Sequence, residues 1–253
     1  MKINHIYAFA GLILFASGAS AASVPLVVGT YNFQLNGDGG GAQATLNGVP
    51  VEIFCDDFEH DISVPSTNSA NVTQLGTGAG LSQTRFGEVS SSQWTSIDLT
   101  GGVAASTEDA FFNSGAGSSA SARYDMVTYL VSLYDLPAGD TTSNNKIQKA
   151  IWTLMDPAAE GPVIDPSVNP TAELEQAASW YVGGGATNSF LSQFEVVSDA
   201  TMRLPGDGVG VGGFQEQIVF TPAPEPRASI WMLIGVFAFG GFLMQRVRVH
   251  RAN

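Results

Sequence analysis

Along the chain, apolar positions repeat every second residue in two outer regions and with a helical period between them. Residues 26–35, LVVGTYNFQL, alternate as a strand does. Gly39 to Gly41 predicts a flexible break. Asn47-Gly48, inside ATLNGVPVEIF, predicts a two-residue hairpin turn. Pro50 confines the second hairpin strand to an edge or a late start, and that strand runs directly into Cys55. Residues 63–118, rich in Ser, Thr, Gly and Asn, predict loops and a few short strands.

The period then changes. Tyr124, Val127, Leu130, Val131 and Tyr134 share one helical face, closed by Pro137. In NKIQKAIWTLMDP, Ile147, Ile151 and Leu154 form one stripe and Gln148, Trp152 and Met155 its neighbour, with Pro157 as the stop. A third helix starts at Asn169 as cap and Pro170 in the first turn. It buries Leu174, Ala177, Ala178 and Tyr181, and ends at Gly183. FEVVSDATMRL and GFQEQIVF restore strand character across the Gly-rich PGDGVGVGG. With no repeat and no second domain, residues 23–221 read as one α+β domain: a β-sandwich or barrel with an inserted block of about three helices.

The two ends fall outside that domain. Residues 1–22 read as a secretory signal peptide, with Lys2, an apolar run from Ile6 to Ala16 and the small-x-small site Ala19-Ser20-Ala21. Residues 222–253 hold Pro224-Glu225-Pro226, an uncharged apolar run from Ala228 to Met244, and then Arg246, Arg248 and Arg251. The run is just long enough for a single transmembrane span, and the arginines put its far end in the cytoplasm. This order of motif, span and basic end resembles the PEP-CTERM sorting signal of Gram-negative bacteria, although here the arginines alternate with Val247 and Val249. The resemblance implies an exosortase as partner, a membrane-held intermediate, and delivery to the cell surface or extracellular matrix, often among exopolysaccharide.

Charge and composition narrow the function. The formal net charge of the 253-residue chain is −13. Residues 23–221 carry five Lys/Arg against twenty-two Asp/Glu. Nucleic acid is excluded as a partner, because phosphate binding needs a basic surface. Charged residues make up only 13% of the chain, as expected of a β-rich exported protein. No cofactor motif appears, and the chain does not read as an enzyme.

Cys55 is the only cysteine. An internal disulfide is impossible. A buried inert thiol and pairing with a second chain both remain open. A Cys-His pair would have to use His60, which alternation puts on the opposite face of a strand. Asp56, Asp57, Glu59 and Asp61 would raise the thiol pKa rather than activate it. Asp57, Glu59 and Asp61 on one strand face could form a hard-cation site, but a solvated acidic strand is the plainer reading.

Two segments, Phe54-Cys55 and Ile147-Gln148-Lys149-Ala150-Ile151-Trp152, resemble the aromatic-Cys and apolar-Gln-x-Ala-Ile-Trp motifs of the thioester domains of bacterial surface adhesins. The resemblance implies an internal thioester between Cys55 and Gln148, surrounded by Phe54, Ile151, Trp152 and Met155. It also implies covalent attachment to a surface or matrix target bearing amines or hydroxyls. The rival expectation is a non-covalent structural protein of a polysaccharide matrix with Cys55 as a core thiol.

Overall fold

The structure, a computed structural model, describes residues 23–35, 38–57, 62–78, 80–94, 97, 99, 107–114, 116–134, 141–155, 167–201 and 214–220. The expected signal peptide and the whole sorting tail, including Pro224, Glu225, Pro226, Arg246, Arg248 and Arg251, lie outside the described residues. Among the described residues no helix is long and apolar enough to cross a membrane.

Four strands come first: β1 (Val24–Leu35), β2 (Asp38–Leu46), β3 (Val49–Cys55) and β4 (Ser66–Gln74). Five helices follow: α1 (Thr107–Phe112), α2 (Ala120–Ser132), α3 (Thr141–Leu154), α4 (Thr171–Val182) and α5 (Asn188–Leu191). Then come β5 (Phe194–Asp199) and β6 (Gln217–Phe220). The strands close into an antiparallel barrel in the order β1-β2-β3-β6-β5-β4, so the alternatives of sandwich or barrel resolve to a barrel. The helical block is inserted between β4 and β5, as expected. Among the described residues it has five members rather than three, because α1 and α5 are short and carry little periodic signal.

Strand alternation builds two cores from one wall. On β3, β6 and β5, Ile53, Val219 and Val197 fill the barrel together with Leu26, Val28, Ala44 and Ala70. Their alternate neighbours Phe54, Ile218, Val196 and Phe194 join the core under the helices. Register keeps the faces matched, with Ile53 opposite Val219 and Phe54 opposite Ile218.

The β2–β3 turn is the expected one. Asn47 and Gly48 both take left-handed backbone conformations, φ 50° and 79°, as a tight hairpin requires. Pro50 sits where β3 pairs with β2 alone; the β6 ladder begins only at Glu52. The expected break at Gly39–Gly41 is corrected: these glycines belong to β2, opposite a part of β1 where the register shifts repeatedly. β4, STNSANVTQ, is one of the short strands expected within residues 63–118, and despite its polar composition it pairs with both β1 and β5.

α2 is the central helix. Ser119 caps it by accepting from the Ala122 amide at 3.2 Å. Tyr124, Val127, Leu130 and Val131 are buried as expected, but Arg123, Met126 and Thr128 are buried too. The Arg123 guanidinium donates to the Leu154 carbonyl at 2.6 Å, at the last turn of α3, and to the Gly117 carbonyl at 3.1 Å. A cation at a helix C-terminus satisfies otherwise orphaned carbonyls, so Arg123 sets α3 against α2. In α4, Leu174, Ala177 and Ala178 are buried, and Tyr181 only half so. Asn169 Oδ1 accepts from the Thr171 amide at 3.0 Å, the cap position falls on Pro170, one residue later than expected, and Gly183 ends the helix.

Candidate functional site: a buried thiol beside a glutamine amide

β3 carries Cys55 at its last residue, and α3 carries Gln148 and Trp152 on one stripe. The two elements meet there. Gln148 Nε2 donates to the Cys55 carbonyl at 2.7 Å. Trp152 Nε1 donates to Cys55 Sγ at 3.2 Å. The thiol donates onward to the Asp57 carbonyl at 3.2 Å. Cys55 is 1% exposed, Gln148 0% and Trp152 2%, so the Gln148 amide meets the Cys55 backbone in a closed site that also holds the thiol. Phe54, Ile151 and Met155 are buried in the adjacent helical core.

Tyr134, expected only as a core aromatic, completes the site. It lies just past α2, donates its hydroxyl to Gln148 Oε1 at 2.7 Å, and stacks on Phe54 with ring centroids 4.8 Å apart. These contacts fix the amide orientation. The Cys55 carbonyl can only accept, so the NH2 group must face it and the amide carbonyl must face Tyr134.

The acidic run differs from its expected form. β3 ends at Cys55, and Asp56 and Asp57 are fully buried rather than solvated. Their partners come from far along the chain. Asp57 Oδ2 pairs with Arg85 Nε at 3.3 Å and accepts from the Glu216 amide at 3.3 Å. Glu216 accepts from Tyr124 Oη at 2.5 Å, from the Arg85 amide at 2.5 Å and from Ser198 Oγ. The carboxylate oxygens of Asp56 have no hydrogen-bond partner. Burial first, then the charges of Glu216 and Asp57, push its carboxyl well above the usual range, and the proton so favoured gives it a donor toward Glu216. Glu59, His60 and Asp61 lie outside the described residues. The Cys-His60 pair and the Asp57-Glu59-Asp61 cation site therefore have only Cys55 and Asp57 placed. Among the described residues no group of three or more His, Cys, Asp or Glu could hold a metal ion.

This network bears on the thiol. Burial raises the Cys55 pKa most; the Trp152 N–H opposes the rise, and Asp57 and Asp56 add to it. An uncharged sulfur, as thiol or acyl thiol, is the form the site favours.

The same physics gives a stability profile. Burial raises Asp125 on α2 to about 6, and Asp56 and Glu216 are also raised. An acid with a higher pKa in the native state than in the unfolded chain binds more protons when folded. Stability then falls as pH rises through that window. Acidifying from pH 7 toward about pH 4 raises the contribution of these groups, and Asp125→Asn removes the part that titrates near 6. Calorimetric melting across that range checks the sign: an Asp125→Asn chain with an unaltered slope contradicts it.

No family model, curated protein or solved structure matches this chain.

Proposed function

We propose that the mature chain is an exported, surface-sorted protein, not an enzyme, in which Cys55 and Gln148 condense to an internal thioester used for covalent attachment. The supporting observation is a buried lone thiol beside one buried glutamine amide: Gln148 Nε2 donates to the Cys55 carbonyl, Trp152 Nε1 to Cys55 Sγ and the Tyr134 hydroxyl to Gln148 Oε1. Condensation forms the Sγ–Cδ bond and breaks the Cδ–Nε2 bond; the thiol proton leaves with the amide nitrogen as ammonia. Proximity and exclusion of water make this exchange accessible. A target amine then forms a bond to Cδ, the C–S bond breaks, and the thiol is regenerated. The PEP-CTERM-like tail supports an exosortase as the processing partner, a membrane-held intermediate, and a final place at the cell surface or in the extracellular matrix.

A second reading rests on the buried acids. Burial, with Asp57 and Asp56 adding to it, favours the neutral thiol, which suits a non-covalent matrix protein with Cys55 as core. Intact mass of the mature protein separates the two. A thioester makes the chain one ammonia lighter than its sequence, and methylamine then adds at Gln148 and frees one thiol. Full mass, with no methylamine uptake, overturns the covalent reading.

A further inference from the structure

We propose that Tyr134 is a catalytic residue of the thioester chemistry, its hydroxyl serving as the donor that stabilises the oxyanion formed on the Gln148 side-chain carbonyl. The inference rests on the thioester reading and adds to it a residue that neither motif contains.

The geometry is specific. Attack on Cδ, by Cys55 during condensation or by an amine during capture, drives the C=O electrons onto the former Oε1. That oxygen already accepts the Tyr134 hydroxyl at 2.7 Å, within the range at which an oxyanion donor acts. The other polar contacts of the site point elsewhere: Gln148 Nε2 to the Cys55 carbonyl and Trp152 Nε1 to sulfur. Stacking on Phe54 at 4.8 Å and 17° holds the phenol ring in place. Phe54 immediately precedes Cys55, so one dipeptide carries the nucleophile and the platform for the oxyanion donor. Burial, with Cys55 as a lesser cause, keeps the phenol in its protonated, donating form. Tyr134 keeps its proton throughout; the proton required by the leaving nitrogen comes from the thiol. Tyr134 as a residue is half-buried, whereas Phe54, Cys55, Gln148 and Trp152 are buried.

The test is methylamine capture by the full mature chain, followed by intact mass. Tyr134→Phe keeps the stacked ring and removes the hydroxyl. Its capture rate should fall by about 10²–10³-fold, the usual loss for one oxyanion donor, with the melting transition little changed. A folded Tyr134→Phe chain of full mass supports the role equally, because condensation passes through the same oxyanion. A second probe leaves the fold untouched: 3-fluorotyrosine at position 134 has a more acidic hydroxyl and should speed capture. A Tyr134→Phe chain that captures methylamine at the wild-type rate, or a fluorinated chain with no change in rate, overturns the role and leaves the thioester standing. A wild-type chain of full mass that takes up no methylamine overturns both.

Discussion

On the proposed thioester chemistry, replacing Cys55 or Gln148 by alanine abolishes covalent amine capture in either case, but the two replacements differ sharply in stability. At position 55 the loss costs the Trp152 indole N–H a weak sulfur acceptor and the Asp57 carbonyl a weak thiol donor, while Gln215 Nε2 still donates to that carbonyl, so the fold is little affected. At position 148 the Cys55 carbonyl and the Tyr134 hydroxyl each lose the Gln148 amide as partner. Each buried unpaired group costs about 1–3 kcal/mol. Gln148→Ala should therefore lower unfolding free energy by about 2–4 kcal/mol, measured by urea denaturation. Equal stability of the two variants would mean that the amide does not bridge β3 and α3. Retained capture by either would mean that the acyl group lies elsewhere.

The second large effect concerns Glu216, whose two oxygens accept from Tyr124, Ser198 and the Arg85 amide. Alanine there leaves three buried donors without an acceptor and opens a cavity beside Asp57. The repulsion between Glu216 and Asp56 disappears at the same time and offsets part of the loss. A net destabilisation of about 3–5 kcal/mol follows, in the range of the most damaging single substitutions. The sign of a second readout is fixed as well. Without Glu216, the carboxyl of Asp56 loses the largest charge that raises it. Its contribution to the fall of stability with rising pH then shrinks. A Glu216→Ala chain as stable as wild type, or one with a steeper pH dependence, would contradict the network.

What the sequence revealed and what it concealed divide along a physical line. Local patterns were legible. Asn47-Gly48 set the hairpin because a two-residue turn needs left-handed residues. The Ile147/Ile151/Leu154 and Gln148/Trp152/Met155 stripes placed α3, with one stripe delivering Gln148 and Trp152 to Cys55. Features set by distant partners were not. Asp56 and Asp57 read as solvated because their surroundings are built from Arg85, Tyr124, Ser198 and Glu216, which only the closed barrel and its helices bring together. β4 carries little apolar pattern, since its pairing is decided by β1 and β5 rather than by its own residues. Tyr134 counted as one more aromatic on a helical face. What marked it was its place at the end of α2, where an aromatic can pack by its ring and still use its polar tip.

The position of β6 has a mechanical consequence. It is the last described strand before the chain continues toward its C-terminus, and it lies between β3 and β5 rather than at a free margin. It is only four residues long but is paired along its length on both sides, through Glu52–Cys55 and through Phe194–Val197. Antiparallel hydrogen bonds run across the strands. Tension applied beyond Phe220 therefore loads two ladders in shear at once instead of peeling one ladder bond by bond. A strand this short resists a pull through its place in the closed wall.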